Sequence, residues 1–367
     1  MHTDVLIVGG GPAGLSAAIA ARAKGLQVAL VDAREPPIDK PCGEGLLPES
    51  VAALRSLGVD IGAAPSFRFT GIQFSDSTSS VSAQFGGVSA YGVRRTTLHR
   101  LLVGHAQAAG VSLLWGTRMT RQDALHADVD GRRIFFRWLV AADGVNSLIR
   151  RRAKLDSLWR SRGRFAFRRH YALAPWSDQV EVHWGDRCQM IVTPTGPQEI
   201  CLALFTSDHH LRIVGALANF PKLARRLVNA RPTSAESGSR TVLARARAVV
   251  RGNVALVGDA ACSIDGIAGQ GLNLAFQSAQ HLADALAQED LRSYAAAHRE
   301  ITKVPVEITR LMLLLARYPW IRRKTLRMFA AKPTFFSKMM SIHAGTADAD
   351  TLRLQDLCGL GWRVLRA

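Results

Sequence analysis

The chain has 367 residues, of which 48% are hydrophobic, enough to bury a substantial core and to form two or three domains. Its formal net charge of +18 invites an anionic partner, yet only 7% of residues are aromatic and no stretch interleaves basic with aromatic side chains, which argues against nucleic acid. Cys42, Cys188, Cys201, Cys262 and Cys358 form no CxxC pair and, being odd in number, cannot all pair within one chain, which points to a reducing compartment and away from a structural zinc site.

The first element is "DVLIV" (residues 4–8), a β-branched run suited to a buried parallel strand. "GGGPAG" follows at once, and an Ala-rich helix closed by Gly25 leads into a second apolar strand, "QVALVD". The run lacks a basic start and is interrupted by glycines, so it is not a signal peptide. In this β-α-β context Gly9 permits a tight turn, Gly11 lets the backbone approach a pyrophosphate, and Gly14 lets helix and strand pack closely. The helix N-terminus offers free N–H groups and a positive dipole end to phosphates. Asp32, at the end of the second strand, suits the hydroxyls of an adenosine ribose. The alternative is a glycine-rich turn inside a ligand-free core. The motif alone does not distinguish FAD from NAD.

"DKPCGEGLLPES" (39–50) is rich in Gly and Pro and is expected to be a loop. A strand-like stretch, "FRFTGIQFSDSTSSVSAQFGGVSAYGV", comes next, and "VRRTTLHRLL" begins a helix. In "RWLVAADGVNSLIRR" (137–151) an apolar strand ends in Asp143-Gly144 before a short helix. Segment 168–196 contains "QVEVHW", which alternates polar and apolar positions and predicts a β-hairpin. Segment 252–286 repeats the strand-acid-turn pattern: "VALVG", then Asp259, then a turn with Gly269 and Gly271 that opens a long helix. Such turns present N–H groups to anions or to a flavin ring edge. The stretch from Leu291 to Gly345 has helical spacing, with Leu311, Leu314 and Leu315 expected on one face. It is expected to pack on the nucleotide-binding region, with covering a pocket or touching an anionic membrane as alternatives. "RLMLLLARYPW" is too short to span a bilayer, which takes about 20 residues.

The three segments "GGGPAG", "ADGVNSLIR" and "GDAACSIDGIAGQG", in this order, resemble the FAD-dependent single-component monooxygenase superfamily, the para-hydroxybenzoate-hydroxylase-like flavoproteins. Geranylgeranyl reductases and flavin-dependent halogenases are relatives. The resemblance covers at least residues 1–300 and implies an α/β fold: a Rossmann-like FAD-binding domain, a discontinuous mixed β-sheet substrate domain and C-terminal helices. The FAD-binding domain would take residues 1–65, 93–155 and 245–290, the substrate sheet 66–92 and 156–244, and the helical segment 291–367.

The resemblance assigns the ADP half of FAD to Gly9, Gly11, Pro12, Ala13, Gly14, Asp32, Ala33 and Arg34. It places Asp259, beside Gly258, at the ribityl or pyrophosphate portion and Gly269, Gly271, Leu272 and Asn273 beside the isoalloxazine. Lys40, Cys42, Gly43, Met119, Asp143 and Gly144 complete the cofactor set. Arg95 matches the family's Arg-x-x-Leu, with Arg94 as the alternative match. The Lys-x-Cys-Gly segment is similar to that of geranylgeranyl reductases, where Cys42 either faces the flavin as a reactive thiol or merely lines its cavity. Gly266 stands where many hydroxylases carry Pro, and the expected consequence is a looser turn. His170, Tyr171, His183 and Trp184 are pocket candidates, with His170 or His183 as a base for a phenol. No metal is expected, and the halogenase signature Trp-x-Trp-x-Ile-Pro is missing.

These readings predict an NAD(P)H-dependent monooxygenase that hydroxylates or epoxidises an aromatic or polyketide-like small molecule through a flavin C4a-hydroperoxide, with FAD as cofactor and NAD(P)H as electron donor. The rivals are a flavin reductase of C=C bonds, favoured by the Cys42 loop, and a non-catalytic flavin-binding protein that meets an acidic carrier protein. The expected location is cytoplasmic, at most peripheral to a membrane.

Overall fold

The computed structural model describes residues 1–156 and 159–347. Cys358 and the end of the expected helical segment lie outside the described residues, and the four other cysteines are free thiols.

Two large sheets dominate the α/β fold. In the first, five strands run parallel in the order Ser112–Leu114, Val28–Val31, His2–Val8, Arg132–Ala141 and Val254–Leu256. Val28–Val31 is buried throughout, as expected of a parallel strand covered on both faces. Val5 pairs with Val28 on one side and with Trp138 on the other, so the strand ahead of the glycine turn is central. His126–Val129 and Met119–Gln122 extend the sheet as an antiparallel meander. The helix Pro12–Ala23 ends at Lys24 with Gly25 at φ 83°, as the sequence predicts. Its alanines let it pack tightly against Arg95–Ala108 and Gly271–Ala287.

The second sheet runs Arg231–Pro232, Arg164–Ala172, Glu199–Thr206, Cys188–Gly196, Gln179–Trp184, Gly71–Ser75 and Ser80–Gln84. The predicted hairpin is present, with Val182 opposite Ile191. The parallel pair Gln179–Trp184 with Gly71–Ser75 joins distant parts of the chain, putting Val180 beside Ile72 and Val182 beside Phe74. One face carries Phe167, Met190, Val192, Leu202 and Leu204 and is sealed by Ile213, Phe220 and Leu223. The opposite face looks toward the first sheet.

Three expectations need correction. Segment 39–50 is a loop only as far as Glu44: Gly45–Leu46 pairs with Ala90–Gly92, and Pro48 opens the helix Pro48–Ser56. Proline suits that first helical position because its missing N–H would have no partner there anyway. Secondly, the helix Leu291–Arg317 buries Leu291, Tyr294, His298, Thr302, Val306, Thr309, Met312 and Leu315, a stripe with steps of three or four. Leu311 and Leu314 fall off that stripe and are exposed. Thirdly, only the first half of this helix packs on Gly271–Ala287, and its Tyr294 Oη donates to Leu256 O of the strand Val254–Leu256 at 2.6 Å. Its second half, with Pro319–Ala331 and Pro333–His343, lies over the second sheet, where Met312, Leu315, Phe336 and Met340 meet Phe74 and Val81. Gly345, at φ 68°, closes the last described helix.

Candidate active site

A cavity of about 550 Å³ lies between the two sheets. Its floor is the glycine turn after His2–Val8. A Cβ on Gly9 (φ 114°) would lie 2.3 Å from Ala142 O, one on Gly10 2.2 Å from the Trp115 ring, and one on Gly14 1.9 Å from Gly9 O. Neighbouring atoms fill those three positions. Gly11 differs: its Cβ would meet nothing within 4 Å, and the residue lines the cavity. It caps a helix that has no side-chain cap, so the first-turn N–H groups stay open to an anion. Asp32 is held in place by Gly10 N at 2.7 Å and Arg34 N at 2.8 Å, and a carboxylate so held keeps lone pairs for ribose hydroxyls.

Two further acids converge on this half. Asp143 Oδ2 caps the helix Leu148–Arg152 through Leu148 N at 2.8 Å, while its Oδ1 is buried on the cavity without a partner. Asp259 Oδ2 pairs with Lys40 Nζ at 2.6 Å, so that ammonium is engaged by an acid of the site. Arg94 is turned away, clamped to Glu199 and to Thr233 Oγ1. Arg95 lines the cavity with its Nε buried and unpartnered, which favours it over Arg94 as the cofactor-side arginine. Gly269, at φ 66°, turns the chain into the helix Gly271–Ala287, whose N-cap Gln270 also makes no side-chain cap.

Of the cofactor residues expected from sequence, Gly9, Gly11, Pro12, Ala13, Asp32, Ala33, Arg34, Lys40, Cys42, Gly43, Arg95, Met119, Asp143, Gly144, Gly258, Asp259, Gly269, Gly271 and Leu272 all line this one cavity. Gly14 lies behind it as a packing residue. Asn273 does not line the cavity: its Nδ2 donates to Glu49 Oε2 at 2.6 Å and Gln270 Oε1 at 3.0 Å, and its Oδ1 is buried without a partner. The open first turns at Gly11 and Gly271 and the unpartnered Arg95 nitrogen suit phosphates, and the bare Asp143 oxygen suits a hydroxyl, so together they form a cradle that fits a dinucleotide such as FAD.

The opposite wall is largely apolar, with Arg168 and Arg240 as its charged members. Ile72, Phe74, Val180, Val182, Ile191, Ala203 and Phe205 contribute from the second sheet, and Ile308, Met312 and Met340 from the C-terminal helices. His343, at the same end, is pushed down to about 4 by burial and is neutral at physiological pH. Gly266 is tight rather than loose: its N donates to Thr241 Oγ1 at 2.9 Å, and a Cβ there would lie 2.7 Å from the Phe205 ring. A proline would lose that hydrogen bond and displace a wall residue.

The expected histidine bases are not on the cavity. Val180 and Val182 face it, so strand alternation sends His183 to the other side, where its ring nitrogens meet Ser75 Oγ at 2.9 Å and Glu181 Oε2 at 2.8 Å. His170 is buried behind the Cys42 loop, its Nε2 2.6 Å from Glu44 Oε2 and its Nδ1 3.0 Å from Ser234 Oγ. Tyr171 packs on the far face of the sheet and Trp184 beyond the cavity beneath Arg322.

Residues given no role from sequence hold the site together. Glu44, fully buried at φ 61°, accepts from Arg95 N at 2.9 Å, and its Oε1 lies 3.7 Å from Arg168 Nη1. Arg168 also reaches Asp39 at 2.6 Å, so both ends of the Cys42 loop are tied to the second sheet. Glu44, His170 and Cys201 sit within metal-ligand distance of one another, but the Arg168 guanidinium already supplies the positive charge, and burial raises the Cys201 thiol well above its ordinary value. Glu49 clasps Asn273 and Gln277, at 2.6 and 2.7 Å. His99 fixes the glycine turn through Nε2 to Gly10 O at 2.8 Å, and burial lowers its pKa. The sequence signals were an acid between two glycines (Glu44) and a charged residue inside a strand (Arg168).

A family model described as "FAD binding domain" matches residues 2–186 and 226–297. The menaquinone reductase of Mycobacterium tuberculosis is 28% identical over 320 residues, covering 78% of this chain and 77% of that protein. The solved structure of p-nitrophenol 4-monooxygenase PnpA from Pseudomonas putida superposes with a TM-score of 0.80 at 18% identity, over 94% of this chain and 98% of that one. PqsL of Pseudomonas aeruginosa superposes at 0.73 with 22% identity, over 86% and 96%. Among the described residues no helix is long and apolar enough to cross a membrane.

Proposed function

Because the chain belongs to the family of flavin oxidoreductases built on this FAD-binding domain, we propose that it is an NAD(P)H-dependent monooxygenase acting on an apolar aromatic or polyketide-like small molecule. The observation that carries the reading is the cavity in which the dinucleotide cradle faces a largely apolar wall, with Arg168 and Arg240 as the charged side chains on the second-sheet side. Bound FAD would supply hydride acceptance from NAD(P)H and activation of dioxygen. The residues of the chain do the rest. Gly11 and the helix behind it bind the pyrophosphate, Asp32 orients the ribose, and Arg95 together with the Gly271 helix end offers donors to the ring system. Phe74, Val182, Phe205 and Met312 exclude water and hold an apolar ring against the cofactor, which suppresses unproductive loss of reduced oxygen. No histidine among the described residues is placed to deprotonate a phenol within this wall, apart from the neutral, buried His343.

A second reading, reduction of a C=C bond, is favoured by Cys42, a free thiol on the cavity wall, and by the relative named menaquinone reductase. Mass spectrometry of the product formed from an alkylphenol panel under ¹⁸O₂ separates the two. One labelled oxygen in the product supports the monooxygenase. Uptake of two hydrogens by an isoprenoid substrate, without label and abolished in Cys42→Ser, supports the reductase instead.

A further inference from the structure

Twelve large apolar residues are exposed among the described residues, and five of them lie between residues 304 and 320: Val304, Leu311, Leu314, Tyr318 and Trp320. The first four recur at helical spacing on the outer face of Leu291–Arg317 and its C-cap, and Trp320 opens the next helix. This face backs onto the apolar end of the cavity, since Ile308 and Met312 of the same helix line it from within. Its charge is biased: residues 300–338 contain nine Lys or Arg and two acids, Glu300 and Glu307, which pair with Lys303 and Arg310, while Arg322 is buried. Arg317, Arg323 and Arg327 are exposed around the stripe. Arg317 lies over the Tyr318 ring at 5.6 Å and Lys324 over the Trp320 ring at 5.9 Å, which places the aromatic and cationic groups together.

We propose that this face docks the protein on an anionic lipid bilayer, with Leu311, Leu314 and Trp320 entering the acyl boundary and the arginines meeting lipid phosphates. An apolar stripe edged by basic residues, with aromatic rings at its rim, matches the layered chemistry of a membrane interface. Docking there puts the helices that roof the cavity against the source of an apolar substrate. The proposal rests on the proposed function only for that last point, because the stripe and its charge are independent of the reaction.

The test is flotation of the FAD-loaded full chain with vesicles of equimolar phosphatidylglycerol and phosphatidylcholine, beside vesicles of phosphatidylcholine alone. Binding to the anionic vesicles is expected, lost at an ionic strength of about 1 M, where charges are screened within about 3 Å. Replacing Arg317 and Arg323 by Gln should weaken binding roughly 30-fold, about fivefold for each charge. Leu311→Glu with Leu314→Glu should abolish it, while Val214→Glu with Val228→Glu, on another surface, should leave it unchanged. Equal binding to both vesicle types, no binding, or binding indifferent to the 311/314 pair overturns the proposal. Binding that emerges only when the chain is ended at residue 347 also overturns it, by making the chain's own tail the occupant. Turnover of a water-soluble short-chain phenol reports on the proposed function separately, because it needs no bilayer.

Discussion

Gly11 and Gly14 stand three residues apart in one turn, and the structure gives them opposite roles that alanine separates. At Gly14 the new Cβ would lie 1.9 Å from Gly9 O, where 3.0 Å is the practical limit, so the helix must move off the strand by about 1 Å. Such overpacking costs about 1–3 kcal/mol, and apoprotein stability and FAD affinity should fall together. At Gly11, φ −72° and ψ 177° suit any residue, and the Cβ points into open cavity. Alanine there should change apoprotein stability by less than about 1 kcal/mol, because its poorer N-capping offsets the gain through the unfolded chain. Yet it places a methyl group where the pyrophosphate must approach, and a clash of about 1–3 kcal/mol would weaken FAD binding by about 5- to 150-fold. Thermal melts of flavin-stripped protein and fluorescence titration with FAD measure both quantities. A Gly11→Ala apoprotein that melts as low as Gly14→Ala, or a Gly11→Ala protein with unchanged FAD affinity, refutes the assignment of this turn to the cofactor.

Gly266→Ala should displace Phe205, raising KM for an apolar substrate several-fold with FAD affinity unchanged; an unaltered KM would show that Phe205 is no part of the substrate wall. Tyr294→Phe removes the buried donor to Leu256 O and should cost about 1–3 kcal/mol in urea unfolding with an unchanged m-value. Burial pushes His298 and His343 down to about 4, so below the ordinary value near 6.5 the unfolded chain binds protons that the folded protein does not. Stability should therefore fall as pH drops from about 6.5 to 4, by up to about 1.4 kcal/mol per pH unit for each histidine. His298→Gln should reduce that slope, by less than half because burial lowers His99 as well, and denaturant melts across the window measure it. His183→Asn should leave kcat and its pH profile unaltered, because the ring faces away from the cavity.

What was legible in the sequence was local. The glycine turn, the Asp143 segment and the Gly269–Gly271 turn each carry their geometry within a few residues, and the structure brings them to one cavity. The clasp of Glu44 by His170 and Arg168 was not legible, because it forms only when the Cys42 loop meets a strand more than a hundred residues later. For His183 the signal was present: in "QVEVHW" the apolar residues alternate with Glu181 and His183, and the apolar set had to face the interior. On Leu291–Arg317 an abundance of leucine outweighed the register of the buried stripe, which runs through His298, Thr302 and Thr309 instead. Polar residues on that stripe satisfy themselves locally, as Thr302 does on His298 O at 2.8 Å, and so pass unnoticed in a hydrophobicity pattern.

The most direct test of the central claim is a rapid-mixing experiment. The FAD-loaded protein is reduced anaerobically with NADPH, in the presence of an alkylphenol panel, and mixed with oxygenated buffer while the flavin spectrum is followed. The expected result is a transient species distinct from both reduced and oxidised flavin, formed before reoxidation and coupled to hydroxylated product. Direct return to oxidised flavin, with hydrogen peroxide and no hydroxylated product for every phenol tried, would contradict the monooxygenase reading.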